Sequence, residues 1–490
     1  MRGVSFLALV TLAGACVLPD YAQSSGSGGA GGSGGGDVCG EPLTQGIGTS
    51  STDELGVDLV TGPDDSTIVV GEFTGTIEYI TGEPINSIGA DVFIAKIASD
   101  GAAEWVTTIS GNGDQHASSI VTGADGGYYV TGTFDNEVAI ADDAPIPTAG
   151  SVDAFVARID PDGTVSWIDT FGGPAEDYAV DAAALSSGIV VVGHFRDQIT
   201  IDGELLPDQT AHPPDTFFDL FAVKVSTEGA VLAKKAFTEG GEAYASSVAA
   251  RADGTFYLSG YYRGKIALGG TSGAADSAGL DAFVAKLDGD LNDPWSRRYG
   301  AGGDEVGGNI IATSDGYVLS GTSSGALDPI DFGGVSVTPT DVVHSGFVAR
   351  LEDKTNAGSW ARLVETAAPG IDPQVIPESL AITGNRLLVS FSVFAPVLIG
   401  SEAVPDGVGD PPDAPDPLIL ALDLTEGNFV GKASYHAPLT QRITELAPGG
   451  CGLAFVGFFD GSLLLPDTPK VESTGRNLVV GRLSPAALLP

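Results

Sequence analysis

Basic residues are scarce. The 490 residues hold 22 lysines and arginines against 64 aspartates and glutamates, a formal net charge of −42. That excludes nucleic-acid binding, which needs a cationic surface to neutralise phosphates, and it implies a soluble, self-repelling exterior. Apolar runs of 3.6-residue period are missing, so no helix is expected, and no Gly-rich phosphate loop opens into one. Histidine is limited to His116, His194, His212, His344 and His436; none stands in HExxH spacing or beside a serine-nucleophile signature, so no catalytic residue is assigned. Cysteine is limited to Cys16, Cys39 and Cys451. What is abundant is glycine, 70 residues of it, together with frequent β-branched residues, a composition that favours an all-β chain with many turns. The length exceeds one ordinary domain, so either several domains or one large repeat architecture is expected.

A repeat is present. Asp153 to Gly173 reads DAFVARIDPDGTVSWIDTFGG. Phe155, Ala157 and Ile159 alternate with Val156 and Arg158, which is strand period. Asp162-Gly163 is a strong hairpin signal, because glycine takes positive φ without steric cost. Aligned on the motif phenylalanine, the copies fall at Phe93, Phe155, Phe221, Phe283 and Phe347, with Leu418 and Val479 as weaker members, a mean period of about 64 residues. A second strand also recurs seven times, ending at Phe73, Phe134, Phe195, Tyr262, Ser323, Phe394 and Phe459. Seven copies of two independent strands predict a seven-bladed β-propeller with four-stranded blades. Blade 2 reads as 117–122, 128–134, 153–159 and 164–171, with Asp135 to Ser151 as an insertion on one edge.

All four tryptophans fall in the fourth strand: Trp105, Trp167 and Trp295 lie 12 residues after the anchor phenylalanine and Trp360 lies 13 after it. Counting back from the Asp-Gly turn pairs Lys96 with Trp105 and Arg158 with Trp167 across the hairpin, near enough for a cation to cover an indole. The pair reads as structural, since residues recurring in every repeat solve repeat packing; carbohydrate binding by the tryptophans is the alternative. The last unit lacks a fourth strand, and Pro42 to Gly48 precedes the first unit with no repeat of its own. These residues are expected to pair with 477–483 and close blade 7, which removes exposed sheet edges. Cys39 lies just before that strand and Cys451 in the blade it closes, so a disulfide clasp is expected in an oxidising compartment, with two unrelated thiols as the alternative.

The string DAFVARI-x-PDG-x-x-x-W-x-x-x-FGG, followed by a strand and the turn Ala124-Asp125-Gly126, resembles the bacterial SBBP β-propeller repeats of exported and cell-surface proteins. The likeness runs over about 55–483 and is clearest in blades 1 to 4. It implies a seven-bladed propeller on an exported protein. That family has no common catalytic residues to carry over, and the period here is longer than its short form.

The amino terminus, MRGVSFLALVTLAGAC, has Arg2 as a positive start, an apolar run from Val4 to Leu12 too short to span a bilayer, and small residues before Cys16. It resembles a bacterial lipoprotein signal whose cysteine is lipidated; Ala13-x-Ala15 also fits ordinary signal peptidase, which would leave Cys16 an exported thiol, free or paired. Residues 1–15 are thus read as a signal peptide and 16–36 as the lipidated Cys16 with a Gly/Ser tether, with the propeller over 37–490. The tether stretch QSSGSGGAGGSGGG cannot pack and spans about 20 Å root-mean-square.

Loop acids at Asp114, Glu176, Asp177, Glu242, Asp304 and Glu305 are expected at one end of the ring. They are hard oxygen ligands of the kind Ca²⁺ takes, but Asp160-x-Asp162-Gly163 shares only a fragment of a calcium loop, so a solvated acidic rim is the expectation, with no metal-ligating residues named and no cofactor. The functional expectation is a non-enzymatic, surface-anchored binding or scaffold lipoprotein, monomeric, at the outer membrane or cell surface. It would meet the membrane through its lipid and would bind a protein or polysaccharide. The alternative is a propeller hydrolase or lyase acting on extracellular polysaccharide through channel-facing acids.

Overall fold

The computed structural model describes residues 8–11, 43–47, 54–78, 84–140, 144–206, 217–237, 241–266, 268, 277–292, 295–340, 345–353, 357–367, 374–400, 402–404, 415–434, 440–450, 452–463 and 471–483. The described secondary structure is all β. Seven antiparallel sheets follow one another, each ordered inner strand, second, third and outer. Their inner strands are Glu54–Thr61, Gln115–Thr122, Asp177–Leu185, Glu242–Ala250, Asp304–Ala312, Val375–Thr383 and Gln441–Gly449. They define blades 1 to 7 of a β-propeller. The ring closes as expected: Leu43–Ile47 runs antiparallel to Val471–Leu483, with Thr44 opposite Gly481 and Ile47 opposite Leu478. A further strand, Ala8–Thr11, pairs onto Leu43–Ile47. The proposed Cys39–Cys451 clasp, and Cys16, lie outside the described residues.

The motif phenylalanines do one job in five blades. Phe93, Phe155, Phe221, Phe283 and Phe347 stand opposite Gly71, Gly132, Gly193, Gly260 and Gly321 of the second strand. A Cβ on any of these glycines would lie 2.4–2.8 Å from the facing ring. The glycine is there because the ring occupies its side-chain space. Blade 6 inverts the pair, with Phe391 opposite Leu418. Its second-strand member is therefore Val393, which pairs with Asp416, and not Phe394 as the sequence pattern suggests. The aromatic has crossed to the neighbouring strand, which moves the pattern by a residue.

The stretch between second and third strands is not a loose insertion. In blade 2 both strands run on into it, as Tyr128–Val138 and Ile146–Ile159. These stretches lap back onto the preceding blade. Ala139 bridges to Ser110 of blade 1, and Thr200 to Gly172 of blade 2. Phe332 of blade 5 stacks on Tyr299 of blade 4 at 5.4 Å. Val397–Ile399 of blade 6 adds a strand to the outer edge of blade 5. Buried clusters accordingly draw side chains from two adjacent blades, as where Phe237 of blade 3 packs with Ile266 and Leu268 of blade 4. Adjacent sheets thus bury apolar side chains in the seams between blades.

Candidate functional site: the axial channel and the insertion face

Every inner strand carries a register shift at the same place: at Asp58, Ser119, Asp181, Ser247, Ile310, Ser379 and Glu445. A bulge turns a side chain out of the regular alternation. Here the bulges place Asp58, Ser119, Asp181, Ser247, Asn309, Glu378 and Glu445 among the lining of an axial cavity of about 340 Å³. Towards the Asp-Gly turns the channel continues into a cavity of about 550 Å³ walled by small apolar residues such as Ala183, Ala249 and Ala312.

The channel carboxylates tie blades together. Asp58 of blade 1 accepts from Ile120 N of blade 2 at 2.7 Å and from Leu59 N at 2.6 Å. Asp181 of blade 3 accepts from Val248 N and Ser247 Oγ of blade 4 at 2.8 and 2.9 Å. Glu445 of blade 7 accepts from Ser379 Oγ of blade 6 at 2.5 Å. Each keeps some open surface, but that surface faces a narrow channel, and the surrounding protein withdraws bulk water. Burial pushes the Asp58 carboxyl up to about 7, with the charge of Asp181 adding to the rise against the hydrogen bonds that lower it. Burial also raises Asp181. Glu445 rises well above the usual range, through burial first and then the charges of Asp58 and Asp181. Among the described residues no group of three or more His, Cys, Asp or Glu side chains is arranged to hold a metal ion.

The opposite, insertion face carries a different chemistry at the same inner radius. Blades 1 and 2 place Glu72 against His116 Nδ1 at 2.9 Å, and this hydrogen bond raises the imidazole's pKa. Blade 7 sets Arg442 Nε 3.0 Å from Glu378. Blades 3 and 4 depart from the rest with a run of rings. Tyr178 faces His194 at 5.2 Å, His194 faces Phe218 and Tyr244 at 5.1 and 5.2 Å, and Tyr244 stacks on Tyr261 at 4.9 Å. His194 fills an aromatic position, as its place in the strand suggests, and burial drives its pKa down to about 4. Arg196 lies over Phe218 and pairs with Glu176, and Tyr244 Oη donates to Glu242 at 2.6 Å.

The tryptophans are brought to the seams, not to a ligand surface. The predicted cross-strand pairs are present, Lys96 with Trp105 and Arg158 with Trp167, and they recur as Lys286 with Trp295 and Arg350 with Trp360. The cation does not cover its indole. Lys96, Arg158 and Arg350 pair instead with Asp64, Asp125 and Asp315 of the first turn in the same blade. A full carboxylate charge binds the cation more strongly than a ring quadrupole. The indole then serves the next blade: Trp105, Trp167 and Trp360 donate Nε1–H to the carbonyls of Pro161, Thr227 and Leu424.

The loop acids form a solvated rim only in part. Asp114 is exposed, but Asp177 and Glu305 are fully buried and cap the preceding loop, accepting from Gly173 N and Ala301 N at 2.7 Å. The channel residues Asp58, Asp181 and Glu445 were not singled out in the sequence. They share a register position on the inner strand, which no local sequence pattern marks.

No family model matches the chain. The regulatory protein FlaEY of Caulobacter vibrioides is 23% identical over 314 residues, covering 61% of this chain and 31% of that protein. The chain thus matches less than a third of that relative's length. Among solved structures, a virginiamycin B lyase from Staphylococcus aureus with quinupristin aligns at TM-score 0.41 and 10% identity, over 90% of this chain and 99% of that one. An apocarotenoid oxygenase from Synechocystis aligns at 0.39 and 9%, over 78% and 73%.

Proposed function

We propose that this chain is a surface-anchored, non-enzymatic binding lipoprotein of SBBP-like repeat type, holding its propeller off the membrane on a tether and meeting its ligand on the insertion face at blades 3 and 4. One observation carries this reading. The repeat supplies its own baseline, and at blades 3 and 4 the face departs from it with a partly exposed ring cluster flanked by Glu176, Arg196 and Glu242. Rings bearing hydroxyls beside paired charges suit a polysaccharide or a protein segment. The channel acids support the same reading by being committed to cross-blade hydrogen bonds. In this account Cys16 is lipidated and the protein sits at the outer membrane or cell surface. Cys16→Ser should move it to the soluble fraction. On glycan and peptide arrays the purified mature protein should bind without turnover, and Tyr244→Ala should abolish binding while leaving the melting temperature within a few degrees. Undiminished binding by Tyr244→Ala sinks the assignment of the face.

A second reading has its own support. Asp58 with a pKa of about 7, beside Asp181 and Glu445, which burial also raises, puts into a cavity carboxyls able to hold a proton near neutral pH, as the acid role of a polysaccharide hydrolase or lyase requires. Turnover of a glycan that Asp58→Asn eliminates would establish it.

A further inference from the structure

The inner-strand residue opposite the second-strand end is Gln115 in blade 2, Asp177 in blade 3, Glu305 in blade 5 and Gln441 in blade 7. Two blades therefore put a neutral amide where blades 3 and 5 put an acid, as blade 1 does with Glu54. Gln115 Nε2 donates to Glu137 O at 3.1 Å. Blade 3 builds the same corner around the acid. A Cβ on Gly111 would lie 2.0 Å from Glu137 O and 3.1 Å from Gln115 Nε2; one on Gly173 would lie 1.7 Å from Gln198 O and 3.6 Å from Asp177 Oδ2. Asp177 thus sits where its counterpart donates, beside a carbonyl that can only accept.

The neighbouring acid sharpens the problem. Asp153, on the third strand of blade 2, is 3% exposed and Asp177 is 0% exposed. Asp153 Oδ2 accepts from Ala149 N at 2.6 Å and Asp177 Oδ2 from Gly173 N at 2.7 Å. The other oxygen of each is buried with no hydrogen-bond partner among the described residues. The groups facing Asp177 are Asp153, Glu176, Asp197 and Tyr178, and the nearby Arg196 is paired with Glu176. The seam between blades 4 and 5 solves the same crowding with a cation, Arg298 Nε lying 2.9 Å from Asp281 next to Glu305. The blade 2–3 seam shows no such cation among its described residues.

We propose that a proton closes the seam between blades 2 and 3: Asp177 stays a neutral carboxylic acid in neutral solution and donates as the amide of Gln115 does, with the charge of the buried Asp153 nearby favouring the neutral form. The acidities agree in direction. Burial, with Asp153 adding, pushes Asp177 up to about 9, and burial pushes Asp153 up to about 6. An unfolded chain ionises both near pH 4, so unfolding at pH 7 releases the held proton. Stability from this seam is fully present below about pH 4 and is lost as pH rises through about 9.

The test is proton release on unfolding at pH 7, read from the pH dependence of the denaturant unfolding free energy in the full chain. Asp177→Asn should release about one proton fewer than the wild type. Gln115→Glu should release about one more, having moved the acid to the blade 1–2 seam. The Gln115→Glu arm stands even where Asp177→Asn fails to fold. An unchanged proton count in a folded Asp177→Asn, or in Gln115→Glu, overturns the proposal. So does a wild-type midpoint that falls on adding EDTA and recovers with Ca²⁺ while Asp177→Asn ignores both, since the seam would then hold a cation.

Discussion

Trp360 shows what a repeated residue contributes. It is 3% exposed, donates to Leu424 O at 3.0 Å, and lies 2.4 Å from where a Cβ on Gly427 would stand. Gly427 holds φ +68°, so the indole and the left-handed turn of the next blade are matched to each other. Trp360→Ala is expected to destabilise by about 3–5 kcal/mol, seen as a lower denaturant midpoint at unchanged slope. The same logic reads the motif cations. Arg158 was legible as a structural partner of Trp167 from hairpin counting. Its bond to Asp125 was not, because that contact joins a strand to a turn 33 residues away.

At the scale of the strand and hairpin, the stretches between second and third strands were legible as extra sequence and not as fasteners. Phe332 shows why. It is fully buried, but the ring that receives it, Tyr299, belongs to the previous blade. Nothing in a local pattern of aromatics names a partner in another sheet. Phe332→Ala should cost about 3–5 kcal/mol and raise amide exchange in the blade 4 outer strand Trp295–Tyr299 as well as in blade 5. A rise confined to blade 5 would mean the segment does not fasten the pair. The inner-strand bulges are the other element-scale finding. Alternation alone predicts a flat inner strand, and the extra residue that sets Asp58, Asp181 and Glu445 facing the channel shows only in the register.

For the whole ring, closure and channel charge act together. Asp58 and Glu445 belong to blades 1 and 7, the two that the Leu43–Ile47 strand seals, and the charge of Asp58 makes Glu445 harder to ionise. The folded Asp58 pKa of about 7 lies above its unfolded value of about 4. Its contribution is therefore intact below pH 4 and is lost as pH climbs to about 7. Asp58→Asn should flatten that decline, giving a higher melting temperature than wild type at pH 8 and little difference at pH 4. A variant beginning at residue 49 should lose cooperative melting and associate on a sizing column, because blade 7 then presents an unpaired edge. A monomer that melts as sharply as the wild type would show that the ring does not need this strand.

The chain alone determined the blade number, the four-strand plan, the closing strand and the place of the tryptophans. All of these follow from periodicity, and periodicity is a local property that repeats seven times. Tertiary structure decided which acid is buried, which cation meets which carboxylate, and where the repeat gives way to a ring cluster at blades 3 and 4. Those depend on contacts that join segments 33 residues apart within a blade and 66 apart between blades, and on how far the closed ring excludes water from a carboxyl group, neither of which a local pattern names.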